Sequence, residues 1–414
     1  MEAVGIIAEY NPFHNGHLHH LLEAKKKSQA EAVVCVISGN FTQRGETALL
    51  NKWKRAELAA RCGADLVIEL PFVFAVRSAQ DFARGGVRLL SQLPSVKSLA
   101  FGSEHPDLTI LDKISAAALS ENTKILLQNN LKTGQTYAAA MASAVCRQTS
   151  IPETILKEPN TILAVEYLNA IKIFSPNLTP LPIKRETSHY NDSSITAPLA
   201  SAKAIRNELA LIHPDQDLIK SAVPKIVYDY MQTWKSTSPE AANLSQLFTA
   251  LLLKLRQGNY SHLRTILGVN EGLEHKLIKA ALTAKSLEEF MSLIKSKRYP
   301  SSRLQRLSLY LLFGLTKKET ADFDVAGPLY ARVLSATPTG CKLLSELKKQ
   351  DTLPIITKTT DYLNTTTRAS DSKTLLQQML SYDTYATDLY SLCFPRIETG
   401  AKDFTTTPFI LQNR

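Results

Sequence analysis

The stretch Ala3–His20, AVGIIAEYNPFHNGHLHH, restricts the fold more than any other part of this chain. A short apolar run, Ala3–Ala8, ends in a polar turn, Tyr10–Asn11–Pro12–Phe13. His14, Asn15, Gly16 and His17 follow, then a helical pattern of Leu18, Leu21, Leu22 and Ala24. The order is strand, turn, helix start, with two histidines three residues apart astride a glycine. A helix N-terminus at the end of a parallel strand presents unpaired N–H groups and the positive end of its dipole, which suits phosphate. Gly16 lets backbone come close to such a ligand, and the imidazoles can donate to phosphate oxygens. An HxxH pair by itself is equally a pair of loop histidines; the preceding strand and the turn favour the phosphate reading.

The alternation continues. Ala32–Ile37 reads as a second buried strand ending in the polar loop Ser38–Glu46, followed by a helix over 52–62. Asp65–Leu70 is a third strand stopped by Pro71, a helix follows near Ser78–Leu93, and Val96–Phe101 is a fourth strand running into Gly102–Ser103–Glu104. Strands and helices alternating at this length predict right-handed crossovers and a doubly wound, Rossmann-like parallel sheet, an α/β fold. Its ligands are expected at the carboxyl ends of the strands. Thr179–Ile183 reads as an edge strand because of Pro180 and Pro182, and Asn160 sits where a helix N-cap is expected. Past Pro214 the pattern becomes almost wholly helical, and then mixed, with a strand near Leu329–Leu334, a helix at Gly340–Lys349 and a short strand at Ile355–Thr357. The domain expectation is a catalytic unit at 1–210, a helical unit at 211–322 and a small mixed α/β region at 323–414.

A net charge of +10 over 414 residues fits a polyanionic partner, nucleic acid or membrane lipid. No apolar run approaches the roughly 18 residues that span a bilayer. With no signal peptide visible and five cysteines scattered without metal or disulfide spacing, a reduced cytoplasmic setting is expected.

The first turn and the helix entry at 200–206 (ASAKAIR) together resemble the HxGH nucleotidyltransferase superfamily, which includes class I aminoacyl-tRNA synthetases and pantetheine-phosphate adenylyltransferase. In the second segment Ser201 and Arg206 match the superfamily's loop, while Ala200 and Ala202 depart from it. VGIIAEYNPFHNGH, SGNFTQRGE, ADLVIELPF, FGSE, KEPNTILAVEY, GLEH and KRYPSSRLQR jointly resemble the bacterial tRNA(Met) cytidine acetate ligase family. That resemblance implies that ATP and acetate form acetyl-adenylate, whose acetyl group passes to the exocyclic amine of the wobble cytidine of elongator tRNA(Met). It implies catalytic roles for His14 and His17. It also implies an ATP site made of Ile7, Ala8, Glu9, Tyr10, Asn11, Pro12, Phe13, His14, Asn15, Gly16, His17, Leu18, His19 and His20, completed by Gly102, Asn160, Arg185, Ser201 and Arg206. Gly102 is equally read as a turn glycine, Asn160 as a plain cap and Arg185 as a solvated charge. Asn40, Gln43 and Arg44 are candidates for placing acetate or cytidine.

Lys295, Lys297, Arg298, Arg303 and Arg306 form a stretch without an acid and are expected to hold tRNA phosphates, with Tyr299 as a stacking platform; a solvated face is the competing reading. Mg²⁺ is expected from triphosphate chemistry alone, and neither a membrane nor an obligate protein partner is expected. Two other functions share parts of this pattern. One is an adenylyltransferase acting on a free metabolite, and the other a non-catalytic RNA-binding protein that keeps the nucleotide fold.

Overall fold

A computed structural model of the chain describes residues 1–135, 137–185, 194–195, 199–237, 240–270, 272–297, 299–350 and 352–412. Arg298 and most of the polar stretch between 186 and 198 lie outside the described residues. Eight strands form one sheet: β1 (Ala3–Ala8), β2 (Ala32–Ser38), β3 (Leu66–Leu70), β4 (Val96–Ser103), β5 (Thr179–Lys184), β6 (Ala331–Ala336), β7 (Ile355–Ile356) and β8 (Phe409–Ile410). The order is β5-β4-β1-β2-β3-β6-β7, with β8 also on β6. Pairing is parallel from β5 to β3. The first four strands are apolar because they are covered on both sides: Val4, Ile6, Val33 and Cys35 face one buried cluster, and Ala3, Ile7, Val34 and Val36 face the other. β5 pairs only with β4, which leaves Pro180 and Pro182 on an edge where a missing N–H costs least.

The C-terminal region is built into this sheet rather than added after it. β6 runs antiparallel to β3, and β7 and β8 both pair with β6. One buried apolar cluster contains Ala3, Leu251, Leu304, Tyr330 and Cys393, so it crosses both of the boundaries drawn from the sequence.

Two groups of buried charge lock the strand ends. The Arg55 guanidinium, 1% exposed, donates to the carbonyls of Leu50 and Ser38 at 3.0 Å, and to those of Glu9 and Gly39. It therefore ties the carboxyl ends of β1 and β2 together. Lys52 donates to both Glu69 oxygens at 2.9 Å and pairs with Asp403 at 2.8 Å; Arg332 pairs with Glu69 at 3.1 Å and with Asp403. Two cations and two carboxylates, none more than 4% exposed, thus bolt β3, β6 and the last helix to each other. Buried charge survives only when paired in this way.

Candidate active site

The turn after β1 is rigid before any ligand arrives. Tyr10, held in the left-handed region at φ 51°, is buried, with its hydroxyl 3.3 Å from Cys35 Sγ. Its ring meets Phe13 at 4.8 Å and His17 edge-on at 5.0 Å. The helix α1 (Asn15–Ser28) starts on His14, its N-cap. His14 Nδ1 accepts from the Gly16 N–H at 3.0 Å, and His17 Nδ1 accepts from the His14 N–H at 3.3 Å. The two imidazoles stack with centroids 3.6 Å apart. With both Nδ1 atoms accepting, each ring carries its proton on Nε2, so each is a neutral donor with its N–H turned away from the helix.

Burial first, and then the Arg185 guanidinium, push His14 down to about 3 and His20 down to about 4; burial, His14 and Arg185 lower His17 as well. His20 Nε2 is buried with no hydrogen-bond partner among the described residues. Because the native pKa values lie below the ordinary 6.5, the unfolded chain binds more protons at mildly acid pH. Stability is therefore full above about pH 6.5 and is lost as pH falls toward about 4. Thermal melts across that window should show the decline, and His20→Gln should flatten it. A melting temperature that stays constant through the window would rule this out.

A cavity of about 570 Å³ opens over the turn. Ile7, Ala8, Glu9, Tyr10, Asn11, His14, Gly16, His17, His19 and His20 line it, and so do Gly102, Asn160, Arg185, Ser201 and Arg206. The structure thus gathers most of the expected ATP-site residues around one space. Pro12, Phe13, Asn15 and Leu18 do not line it. Pro12 and Phe13 are buried beneath the turn, Asn15 donates to the Ser221 carbonyl at 2.8 Å, and Leu18 packs on the apolar cluster under α1.

Three further positions make contacts that the sequence did not indicate. Asn160 is inside the helix Pro159–Phe174, whose N-cap is Glu158. Freed from capping, Asn160 donates to Glu104 at 2.6 Å and accepts from Arg185 at 3.2 Å, and so aims that cation into the cavity. A Cβ on Gly102 would stand 3.2 Å from Arg185 Cγ, so the glycine first of all makes room for the arginine stem. Asn40 is 1% exposed and bridges Thr387 and the Lys52 N–H, which makes it part of the scaffold. Gln43 and Arg44 do line the cavity.

The helix Ala202–Leu209 closes the far side. Ser201 caps it, accepting from the Ala204 N–H at 3.0 Å. Arg206 donates to the Asn11 carbonyl at 2.7 Å and pairs with Glu46 at 3.2 Å, so the second motif grips the first turn and the loop after β2 together. Lys203 also faces the cavity. Sequence reasoning missed its apolar wall, Ala79, Phe82, Phe101, Leu163 and Tyr167; the 3.6-residue spacing that marks helix faces does not distinguish a cavity wall from core.

The basic stretch divides into exposed lysines and, among the described residues, arginines held by contacts. Lys295 and Lys297 are exposed. Arg303 stacks over the Tyr299 ring at 4.4 Å, and Tyr299 is buried with its hydroxyl donating to the Asn270 carbonyl, so it is a support rather than a stacking platform for a base. Arg306 lies against the loop after β2, donating to the Gln43 carbonyl at 3.4 Å. Gly45 (φ 83°) permits the close approach of this helix to the loop, since any Cβ there would stand 2.7 Å from the Arg306 backbone nitrogen. Arg306 is thus a structural strut rather than a free cation. Ser302, at the start of the same helix, reaches the cavity itself.

The model of the family described as HIGH Nucleotidyl Transferase matches residues 1–403. The chain belongs to that family. Within it, the chain is 37% identical over 424 residues to the tRNA(Met) cytidine acetate ligase of Acetivibrio thermocellus, covering 99% of this chain and 100% of the relative. It is 40% identical over 409 residues to the protein of the same name from Caldanaerobacter subterraneus subsp. tengcongensis, covering 98% of each. Among solved structures, apo Thermotoga maritima TmcAL superposes with a TM-score of 0.91 at 32% identity, and the form of that protein bound with alpha-thio ATP with 0.88 at 31%; each match covers 100% of both chains. The likeness therefore runs over essentially the whole chain, and both relatives carry the same name.

Proposed function

We propose that this protein is an ATP-dependent tRNA acetate ligase, which joins acetate to AMP and then passes the acetyl group to the wobble cytidine of elongator tRNA(Met). The observation that carries this is the pair of neutral Nε2–H donors held at the start of α1 in a cavity that also receives Arg185, Lys203 and Arg206. Acetate is a poor acyl donor and needs a leaving group. When its carboxylate attacks the α-phosphate, charge grows on phosphoryl oxygens, and donors fixed beforehand lower that barrier without reorganising. The His14 and His17 Nε2–H groups and the α1 amides would serve the α-phosphate, while Arg185, Lys203 and Arg206 would hold the outer phosphates and release pyrophosphate.

Mg²⁺ would arrive on the triphosphate. Among the described residues no three His, Cys, Asp or Glu side chains group as a cage for an ion, so the triphosphate itself would be the ion's main ligand.

The test is to incubate the protein with ATP, labelled acetate and tRNA. ATP-dependent label in tRNA is expected. Pyrophosphate release that ignores acetate would favour an adenylyltransferase of free metabolites, and no turnover would favour a non-catalytic RNA binder. Lys295 and Lys297 are exposed and would contact tRNA phosphates, as would Arg303 and Arg298. Replacing Lys295 and Lys297 with Glu should weaken tRNA binding and lower its salt slope by about 1 per lysine. Filter binding across a salt series measures this, and an unchanged slope would remove the two lysines from the interface.

A further inference from the structure

The acyl transfer step needs a proton acceptor, and the histidines of the turn are poorly placed for that task. Their Nδ1 atoms are taken by the Gly16 and His14 N–H groups, and their Nε2 atoms already carry protons. Two carboxylates line the cavity among the described residues. Glu46 is tied to Arg206 at 3.2 Å. Glu9, the first residue past β1, is held differently: its Oε1 accepts from the Gln43 N–H at 2.7 Å, and its other oxygen has no hydrogen-bond partner among the described residues. One oxygen pinned to the backbone and the other unengaged gives a carboxylate of fixed direction, at the strand end where ligands of such sheets bind.

Cytosine presents an exocyclic N–H₂ donor at the position where uracil presents a carbonyl acceptor, and carboxylates are the side chains that accept from it. We propose that Glu9 accepts a hydrogen bond from the exocyclic amine of the target cytidine and takes its proton as the amine attacks acetyl-adenylate. This assignment rests on the ligase reading above. In the step, the amine nitrogen forms a bond to the acetyl carbon, and the bond from that carbon to the adenylate oxygen breaks. AMP departs with the electron pair, and the displaced N–H proton moves to the free oxygen of Glu9.

The charges that act on Glu9 come from three elements. Burial raises it, the Gln43 N–H bond and then Arg206 and Arg55 oppose that, and Glu46 adds to it; Tyr167 senses the Glu9 charge in turn. Glu9 therefore sits above the ordinary glutamate range, where it can both hold an N–H and receive its proton.

Glu9→Gln tests the assignment without stripping the pinned contact, because the amide oxygen can still accept from the Gln43 N–H. Acetate-dependent ATP–pyrophosphate exchange, measured without tRNA, reads the first half-reaction; single-turnover acetyl transfer to an elongator tRNA(Met) transcript reads the second. The expected result is a loss of about a hundredfold or more in transfer, larger by about tenfold or more than any accompanying loss in exchange, and disappearance of the rise in transfer rate with pH. Glu9→Asp, with the carboxylate kept but set back, should retain the pH rise. Transfer and exchange falling in parallel would overturn the proposal, and so would a pH rise that survives in Glu9→Gln and vanishes in His19→Gln. A wild-type protein without acetate-dependent exchange would overturn the ligase reading itself, a result distinguishable from failure of Glu9 alone.

Discussion

His14→Ser is expected to leave the protein folded and to slow acetyl-adenylate formation by about a hundredfold to a thousandfold, the usual cost of losing one preorganised donor. Serine is chosen because it preserves the other thing His14 does. The imidazole caps α1 by accepting the Gly16 N–H, and a serine hydroxyl can take that bond but is too short to replace Nε2. His14→Ala loses both, and should cost about 1 kcal/mol of stability in addition. Comparing the two variants by urea denaturation and by pyrophosphate exchange separates the cap from the chemistry. If His14→Ser exchanges at the wild-type rate, the phosphate role of the turn is wrong.

The second large effect is expected at residues that do not line the cavity. Arg332→Leu would leave Glu69 and Asp403 sharing one cation, Lys52, in a site from which water is excluded. Breaking a buried pair by removing one partner costs about 3–5 kcal/mol, which is a large share of the stability of most proteins. Combining Arg332→Leu with Asp403→Leu restores one cation to one carboxylate and should recover much of that loss. Urea denaturation measures both, and equal stabilities for the single and double variants would show that the four charges do not act as a unit.

The first half of the sheet was legible because each strand is a continuous apolar run ended by a turn, a signal contained within a few residues. Ser78, Ser201 and Pro180 also behaved as their local chemistry dictates. What could not be read was anything matched across the chain. Lys52 and Arg55 stand in KWKRAELAAR, whose pattern marks a helix but not the burial of its charges, and both are buried because their partners come from elsewhere in the chain. Arg306 looked like one more cation in a basic run, and its neighbour is the Gln43 carbonyl 263 residues away. Asn160 fitted the statistics of a cap, whereas the helix begins one residue earlier and uses proline at its start. In the site, the histidine turn announced itself by spacing, but the apolar wall from Phe82 to Tyr167 did not, because a cavity is made by what several elements leave unfilled.

The antiparallel union of β3 with β6 also bears on how the protein is made. Glu69 meets Arg332, 263 residues later, so during synthesis the N-terminal half leaves the ribosome with β3 as a bare edge. An edge strand of Leu66–Leu70, apolar except for Glu69, is a template for pairing with another nascent chain until its own partner arrives. Contacts that distant in sequence also close slowly. The protein should therefore depend on chaperone protection for longer than a nucleotide-binding domain of the same length whose strands follow one another, and fragments ending before residue 331 should aggregate rather than fold.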